Sequence, residues 1–375
     1  MSITVKPIAS EDHLAFVAQR GSASFLQIPA WAAVKKEWRG ESLGFFDDGT
    51  LIGVGLVLYR KLPTLKRYLA YLPEGPVLDW ERPDVDEQLE ALVTYAKKAR
   101  AFAVRIGPAI EHRRWSAETI KTAVADDGIT RLSQVEPDDT SLAGTRVLRQ
   151  LQHLGWQTNE DSDGFAAGQP MFNFQLPLLH EDGSAKNEAE LLKNMNQLWR
   201  RNIKKADKAG VEVRTGERTD LARFHAIYRE TATRDGFTGR ALSYFETMWD
   251  ALNAEEDGRM KVYLAEHEGD LVAATTMIRV GTHAWYSYGA STTVKRDVRG
   301  SNAIQWRMIR DAIEDGCSVY DLRGITEGVG KEDPELGLIQ FKVGTGGEAV
   351  AHLGEWDRAI NKVLHLAFLT YMKRR

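Results

Sequence analysis

Hydrophobic positions change repeatedly along the chain between the alternating spacing of a β-strand and the three-to-four-residue spacing of an amphipathic helix. Strands are predicted at residues 3–8, 42–46, 51–59, 102–108, 170–178, 211–214, 262–267, 271–278, 284–290 and 319–324. Helices are predicted at residues 10–20, 84–100, 144–154, 188–209, 220–234 and 303–315. Short turns at residues 47–49 and 268–270 join two strand pairs as hairpins. This interleaving predicts an α/β or α+β fold.

The length of 375 residues exceeds what one ordinary core accommodates, so two domains are predicted. Residues 111–139 are charged and poorly periodic, and we predict a mostly helical peripheral region there. Residues 364–375 form an apolar helix that ends in three cations. We expect this helix to pack on the first domain. A second interpretation is peripheral contact with the inner leaflet of the plasma membrane.

Composition narrows the class of protein without identifying it. A hydrophobic fraction of 43% and a charged fraction of 27% are typical of a soluble globular protein. The net charge of −4 gives no overall attraction to polyanions, so any nucleic-acid contact needs a local basic patch. The single cysteine, Cys317, excludes an intramolecular disulfide and is typical of a reducing compartment. There is no signal-peptide pattern and no apolar run long enough to span a bilayer, so we predict a cytoplasmic protein.

Residues 337–347 combine an apolar run, the pair Phe341–Lys342 and a glycine-rich turn. We predict a strand followed by a hairpin turn. In one interpretation Lys342 lies on a solvated face. In the other its ammonium group lies beside an oxyanion or a phosphate, since glycines let a ligand approach the backbone closely.

Three further groups of residues are candidates for binding. Trp31 and Trp38 share one helical face with Lys35 at its edge, where a lysine covers apolar surface or contacts a ligand. Arg240 and Tyr244 are four residues apart on a predicted helix and either grip an anion or form a surface stack. A basic helix end either complements the helix dipole or contacts RNA, and its cations include Arg200, Arg201, Lys204 and Lys205.

The order hairpin, strand, helix, strand in the second half is that of acyl-transferring domains of the N-acetyltransferase (GNAT) type. The glycine-rich loop that cradles the pyrophosphate of acyl-CoA should precede the helix at 303–315. Residues 298–303 (Val-Arg-Gly-Ser-Asn-Ala) lack the full glycine pattern, which counts against acetyl-CoA.

Over nearly its whole length the chain resembles the Fem-type peptidoglycan-bridge aminoacyltransferases. The resemblance rests on residues 27–38, 71–77, 104–108, 234–245, 285–291, 320–325 and 341–354, in that order. It implies two GNAT-like domains side by side, with the C-terminal segment returning to the first. The first domain is predicted at 1–147 and 355–375 and the second at 148–354. Residues 188–209 are too few for the helical arm of some members, so we expect the compact form without it.

The resemblance also implies roles for single residues. Lys342 and Phe341 match the reaction centre, where Lys342 is expected to stabilise the oxyanion or the 3′ leaving group. Residues expected to bind the muramyl precursor or line its cleft are Lys35, Tyr71, Arg240, Tyr244, Tyr286 and Tyr288. The tRNA is expected on the basic helix end. Some members have an aspartate where this chain has Gly107, so no role for that carboxylate transfers to this protein.

The activity implied is transfer of an amino acid from aminoacyl-tRNA to the stem peptide of a muramyl-pentapeptide precursor, either lipid II or the UDP-linked form. It needs no cofactor and no metal, and we expect a monomer. Three alternatives stay open: an acyl-CoA-dependent N-acyltransferase, a non-catalytic precursor-binding or immunity protein, and a general RNA-binding protein. The last would need a more basic surface than a pI of about 6.2 indicates.

Overall fold

The computed structural model describes residues 3–63, 65–158 and 168–373. The strands are β1 (Ile3–Pro7), β2 (Arg39–Asp47), β3 (Thr50–Lys61), β4 (Tyr68–Leu72), β5 (Ala101–Ile106), β6 (Glu111–Ser116), β7 (Asp139–Thr140), β8 (Gln157–Thr158), β9 (Phe172–Pro177), β10 (Glu212–Gly216), β11 (Met260–His267), β12 (Asp270–Val280), β13 (His283–Ser291), β14 (Val319–Ile325), β15 (Glu348–His352) and β16 (Trp356–Ala359). The helices are α1 (Ser10–Gln19), α2 (Ala30–Val34), α3 (Val85–Lys98), α4 (Ala117–Ala125), α5 (Leu142–His153), α6 (Glu188–Asn194), α7 (Gln197–Lys208), α8 (Leu221–Asp235), α9 (Leu242–Glu255), α10 (Gly300–Glu314), α11 (Leu336–Val343) and α12 (Lys362–Lys373).

The chain divides into two compact units. The first comprises Met1–Arg114, Asp139–Met171 and Ala351–Arg375, and the second comprises Trp115–Asp138 and Phe172–Val350. The boundary predicted after residue 147 falls inside α5, whose Val147 and Leu151 belong to the core of the first unit.

A seven-stranded sheet in the order β1-β2-β3-β4-β5-β16-β8 forms the first unit. Along β4, side chains alternate between two cores, as the two-residue period of a strand requires. Ala70 and Leu72 lie in the cluster that includes α3 and α5. Leu69 and Tyr71 lie in the cluster that includes α12. The sheet is therefore covered on both faces.

The C-terminal segment returns to the first unit, as the sequence predicts. Strand β16 pairs antiparallel with β5. The ring of Phe368, on α12, lies 5.4 Å from that of Phe102 on β5. The two C-terminal arginines, Arg374 and Arg375, lie outside the described residues.

The second unit contains the strand order β10-β11-β12-β13-β14-β9-β15. Strands β13 and β14 are parallel and are connected through α10, while β10 to β13 run antiparallel. Helix α8 packs on β12 and β13, and α10 packs on β11 and β12. This confirms the α/β prediction and the strand–helix order from which it was drawn.

Four local predictions are wrong. Residues 337–347 are not a strand and hairpin, because helix α11 spans Leu336–Val343. Residues 188–209 are not one helix, because Met195 is extended and the Asn196 side chain caps a new helix by accepting from the Trp199 N–H. Residues 111–139 begin with strand β6 before helix α4. Helix α9 begins only at Leu242, so Arg240 precedes it and does not share its face.

Candidate active site

Lys342 lies in the last turn of α11 and is buried, with only 3% of its surface exposed. The interpretation of this residue as a solvated surface lysine is therefore wrong. Its Nζ donates to the carbonyl oxygen of Gly324 at 2.6 Å and to that of Arg323 at 3.3 Å. Burial lowers the pKa of Lys342 from 10.5 to about 7, and the nearby Asp321 carboxylate opposes this change. Near neutral pH, Lys342 is therefore present both as the ammonium and as the neutral amine.

An irregularity in β14 presents the two carbonyls to Lys342. The register between β14 and β9 shifts between Asp321 and Gly324, and Arg323 has a φ of 62°. A positive φ is uncommon for a residue with a side chain and costs about 1–3 kcal/mol. The backbone here is strained in a way that turns successive carbonyls toward the α11 lysine.

Asp321 lies two residues before Arg323 in β14, and both of its carboxylate oxygens have hydrogen-bond partners. Its carboxylate accepts from Gln175 Nε2 at 3.2 Å, from the Arg323 N–H at 2.5 Å, and is 3.3 Å from His283 Nε2. Burial raises the pKa of Asp321, but the contacts with His283 and Arg323 together outweigh burial and hold the pKa below its ordinary value. Asp321 therefore supplies a negative charge near the buried lysine.

The glycines that follow Lys342 allow close packing. A Cβ on Gly344 would lie 2.1 Å from Trp199 Cδ1, and one on Gly347 would lie 2.3 Å from the Gln175 carbonyl oxygen. Trp199 also donates from Nε1 to the Phe341 carbonyl oxygen at 2.8 Å, with the two rings 4.8 Å apart. Phe341 and the glycines therefore allow α11 and the turn after it to pack closely against α7 and β9. The glycine-rich turn is not a phosphate-binding loop.

Arg240, Tyr244 and Tyr288 come together in the second unit, although they lie on a loop, a helix and a strand. Arg240 is exposed, and its Cζ lies 5.3 Å from the Tyr244 ring centroid. The Tyr288 hydroxyl donates to that of Tyr244 at 3.2 Å. Behind them Phe245 packs edge-on against Tyr288 at 5.1 Å. A guanidinium group and two phenols thus share one partly exposed surface above an aromatic core.

Tyr286 precedes a bulge in β13. Met277 pairs with Tyr286 and Thr276 with Tyr288, so the intervening Ser287 has no opposite residue on β12. Burial raises the pKa of Tyr286 to about 12. Its hydroxyl reaches the space where a Cβ on Gly289 would lie, at 2.0 Å from the hydroxyl oxygen. A larger residue at position 289 would displace this phenol.

Lys35 and Tyr71 lie near Trp38 in the first unit. Lys35 is the C-cap of α2, with Nζ 5.8 Å from the Trp31 ring centroid. Its carbonyl accepts from the Trp38 N–H at 2.8 Å, and the Trp38 and Tyr71 rings are 6.1 Å apart. Helix α2 ends at Val34, so Trp31 and Trp38 do not share one helical face as predicted. Lys35, Trp38 and Tyr71 are nevertheless neighbours.

A buried network of charges adjoins Tyr71, and no local pattern in the sequence predicts it. The Tyr71 hydroxyl donates to Glu355, and Arg105 forms a bidentate pair with Asp357 at 2.6 and 2.8 Å. Burial raises the pKa of Glu355, and Arg105 opposes this. A Cβ on Gly107 would lie 3.7 Å from Glu355 Cγ. A carboxyl group is thus present beside Gly107, supplied from a different part of the chain.

The four predicted tRNA contacts lie on α7. Arg201, Lys204 and Lys205 are exposed, as an RNA-contacting surface requires. Arg200 is half-buried, and its Nη1 donates to the Lys193 carbonyl oxygen at 2.9 Å. Its guanidinium therefore satisfies a free carbonyl at the end of α6, which is a structural role.

The described residues contain neither a candidate metal site nor a membrane-spanning helix. Among residues 3–63, 65–158 and 168–373, no group of three or more His, Cys, Asp or Glu side chains is arranged to hold a metal ion. Within the same ranges no helix is long and apolar enough to cross a bilayer. Cys317 is buried, and burial raises the pKa of its thiol to about 11, which disfavours the nucleophilic thiolate.

Comparison with known proteins shows first the fold of this chain and then the family to which it belongs. The crystal structure of FemX superposes with a TM-score of 0.79 at 24% identity, covering 97% of this chain and 99% of that one. The chain therefore has the α/β fold of that protein. A model of the FemAB family matches residues 8–268 and 252–374, so the chain belongs to the FemAB family.

Two curated relatives extend this comparison. The lipid II:glycine glycyltransferase of Staphylococcus epidermidis (strain RP62A) is 25% identical over 423 aligned residues, which cover 96% of this chain and 93% of the relative. The protein of the same name from Staphylococcus aureus (strain MRSA252) is 24% identical over 429 aligned residues, which again cover 96% of this chain and 93% of the relative. Both aligned lengths exceed the 375 residues of this chain, so the relatives contain insertions.

Proposed function

We propose that this protein is an aminoacyltransferase that adds an amino acid to the stem peptide of lipid II, with aminoacyl-tRNA as the donor. The observation that carries the proposal is the match to lipid II:glycine glycyltransferases over 96% of the chain. Membership of the FemAB family over the same length supports it. The identity of the transferred amino acid is not part of the proposal.

The reaction is aminolysis of an ester. The free amine of the stem peptide attacks the ester carbonyl at the tRNA 3′ end, and a tetrahedral oxyanion forms. The amine loses a proton, the C–O bond to the ribose breaks, and the ribose oxygen takes up a proton. Because the ester is already reactive, alignment of the amine and stabilisation of the oxyanion account for most of the catalysis required.

In this proposal the Lys342 ammonium stabilises the oxyanion or protonates the leaving ribose oxygen. Its pKa of about 7 makes it a stronger acid than an ordinary lysine. Its existing carbonyl partners hold the ammonium in one position, which is the preorganisation that such a donor needs. Phe341 serves the site by fixing the end of α11 against Trp199.

We assign acceptor binding to two sets of residues. In the second unit, Arg240 and Tyr244 present a guanidinium and a phenol suited to the diphosphate of the precursor, and Tyr286 and Tyr288 line the adjoining strand. In the first unit, Lys35 and Tyr71 flank Trp38. The proposed acceptor-binding residues are thus Lys35 and Tyr71 in the first unit, and Arg240, Tyr244, Tyr286 and Tyr288 in the second.

The tRNA is assigned to the exposed cations of α7. Lys204 and Lys205 follow Arg201 on the solvent side of this helix, and contacts to phosphate need no particular base sequence. An acyl-CoA donor fits less well. The segment before α10 has a positive φ at Lys295 and Arg299, and the Cβ position of Gly300 meets Val272 Cγ2 at 2.8 Å. That glycine is used for packing on the sheet, and no glycine-rich cradle precedes it.

Incubating the protein with labelled aminoacyl-tRNAs and with either lipid II or UDP-muramyl-pentapeptide tests the proposal. We expect one aminoacyl-tRNA to label lipid II. Labelling only from acyl-CoA, or binding of lipid II without any product, would favour the alternative acyltransferase or the non-catalytic protein.

The Lys342→Ala variant is expected to lower kcat by about 10²–10³, as loss of an oxyanion donor does. The matched control is Lys186→Ala, which removes a half-buried lysine whose Nζ donates to the Pro177 carbonyl oxygen at 3.1 Å. Steady-state transfer is measured for both variants after circular dichroism has confirmed that they are folded. Near-normal turnover by folded Lys342→Ala would remove this residue from the mechanism.

The Arg240→Ala variant is expected to raise the KM for lipid II about tenfold or more with little change in kcat, because a charge-assisted contact to phosphate contributes about 1.5–3 kcal/mol. Arg229→Ala removes an exposed arginine of α8 and serves as the control. A fall in kcat at unchanged KM would contradict the binding role of Arg240.

A further inference from the structure

Three segments meet at one end of the sheet of the first unit and carry exposed basic and apolar side chains. They are the described part of the β3–β4 hairpin (residues 60–63 and 65–67), the end of α3 at residues 97–100, and α12. The base of the hairpin contacts α12, since Arg60 Cζ lies 5.5 Å from the Phe368 ring and Leu62 packs in the same cluster. The end of α3 adjoins the hairpin, because the Tyr68 N–H donates to the Arg100 carbonyl oxygen at 3.3 Å. We call these residues the basic–apolar surface.

Large apolar side chains project outward from this surface. Helix α12 buries Phe368 but leaves Val363 77% exposed and Leu366 67% exposed on its other side. Leu65, in the hairpin, is 46% exposed. Solvent-facing aliphatic side chains at positions 363 and 366 of one helix are unfavourable in water, and they are typical of a helix that lies in a membrane interface.

The cations on this surface have no acidic neighbours in sequence. Residues 60–67, 97–100 and 361–373 contain no Asp or Glu, although the whole chain has a net charge of −4. Their exposed cations are Lys61, Lys66, Arg67, Lys97, Lys98, Arg100 and Lys362. Within the described part of the chain, none of these seven has a carboxylate within 4.0 Å. Charges that are not neutralised internally are available for an external anion.

We propose that the basic–apolar surface docks the protein on a bilayer that contains anionic phospholipid. The exposed aliphatic side chains would enter the headgroup region, and the surrounding lysines and arginines would contact lipid phosphates. RNA is the other polyanion that such cations could bind. It offers no apolar phase for Val363 and Leu366, so the combination favours a membrane. The inference deepens the proposed function, on which its purpose rests, because a lipid-linked acceptor is found only at a membrane.

Sedimentation of the full chain with vesicles tests the proposal without any transfer reaction. We expect binding to vesicles of phosphatidylcholine mixed with phosphatidylglycerol and little binding to phosphatidylcholine alone. Added salt should weaken the binding, because it screens the cations. Each Lys or Arg near an anionic surface contributes about 1 kcal/mol, which corresponds to about a fivefold change in the partition coefficient.

Two variants separate the contributions of charge and apolar surface. Lys97→Gln combined with Lys98→Gln should lower the partition coefficient about 25-fold. Leu366→Asp should lower it about tenfold or more, since it removes an apolar side chain from the interface. The controls lie elsewhere on the molecule. Leu142→Asp changes a leucine that is 87% exposed at the start of α5, and Lys204→Gln with Lys205→Gln changes the basic face of α7.

Equal losses in the variants and the controls, or equal binding to neutral vesicles, would overturn the proposal. A Leu366→Asp variant that loses tRNA binding and keeps vesicle binding would also overturn it and would assign the surface to RNA. Failure of the proposed function is a different result. In that case the wild-type protein transfers nothing, yet its vesicle binding still responds to the variants as described. If both proposals hold, Leu366→Asp loses transfer to lipid II in vesicles and keeps transfer to lipid II dissolved in detergent.

Discussion

Replacing Lys342 with methionine is expected to change how the stability of the second unit depends on pH. Methionine has a similar length and no charge, so it removes the titratable group while filling much of the same space. Two opposing effects follow from the structure. The variant no longer buries a cation, and it also no longer donates to the carbonyls of Arg323 and Gly324.

The magnitude follows from the pKa. Lowering the Lys342 pKa from 10.5 to about 7 corresponds to a penalty of about 5 kcal/mol on the buried cation, at about 1.4 kcal/mol per pH unit. Below about pH 7 both the folded and the unfolded chain carry the proton, so the penalty is complete. Between about 7 and 10.5 only the unfolded chain binds it, so the free energy of unfolding rises with pH by about 1.4 kcal/mol per unit. Above that range neither state is charged, and the penalty has vanished.

Loss of the two hydrogen bonds acts differently. Leaving buried carbonyls without a donor costs about 1–3 kcal/mol at every pH. At neutral pH the two effects oppose each other, so the difference in stability between wild type and Lys342→Met is small or favours the variant. As the pH rises, the wild type gains stability and the variant does not. The pH dependence of this difference is therefore a clearer test than its value at one pH.

Urea unfolding of both proteins, followed by tryptophan fluorescence at several pH values between about 7 and 10.5, measures this slope. The wild type should gain about 1.4 kcal/mol per pH unit relative to Lys342→Met. Lys204→Met, at an exposed position on α7, is the control, and its difference from the wild type should stay constant. A constant difference for Lys342→Met as well would refute the argument, because it would mean that burial does not control the protonation of this lysine.

Two further predictions concern packing and charge. Arg105→Ala is expected to lower the free energy of unfolding by about 3–5 kcal/mol, because it removes the bidentate partner of the buried Asp357 carboxylate and leaves that carboxylate only its contact with His365. Arg358→Ala, whose ion pair is partly exposed, should cost less than about 1 kcal/mol, and equal losses in urea unfolding would contradict the role of burial. Gly344→Ala is expected to cost about 1–3 kcal/mol, because its Cβ would lie 2.1 Å from Trp199 Cδ1. Gly337 lies in α11, and no atom lies within 4 Å of the position of its added Cβ, so Gly337→Ala should instead stabilise the protein by up to about 1 kcal/mol. Thermal melts that show Gly344→Ala to be more stable than Gly337→Ala would contradict the packing argument.

The parts of the fold that could be predicted are those with a strong local period. Leu89 and Leu92 mark one face of α3 at helical spacing, and the β11–β12 hairpin consists of two apolar runs on either side of a Glu-Gly turn. The sequence match also predicted correctly that the C-terminal segment returns to the first unit. In each case neighbouring residues along the chain contain enough information to specify the element.

The remaining elements depend on contacts between distant residues. Helices α6 and α7 are separate because the Asn196 N–H donates to the Gly344 carbonyl at 2.9 Å, a contact across nearly 150 positions that no helical period reveals. Helix α11 is only eight residues long, and the apolar residues of so short a segment do not distinguish a strand from a helix. Arg240 lies beside Tyr244 as predicted, although the predicted reason, a shared helix face, is wrong. Strand β16 brings Glu355 beside Tyr71, and nothing in either local sequence indicates that pairing.

Stability alone would not favour a buried lysine at position 342, and its presence there is an argument that the residue has a function. A neutral donor such as glutamine could bond to the same carbonyls without the cost of burying a charge. The carbonyls are turned toward the lysine by a bulge with a positive φ at Arg323, which adds strain to the cost. Folded proteins retain such local conflicts chiefly where the strained group performs chemistry. If Lys342 served only to satisfy the two carbonyls, Lys342→Ala would lose stability and turnover together. If the lysine performs chemistry, the folded variant loses turnover at temperatures well below its unfolding transition. The strain and the buried charge at this one position favour the second result.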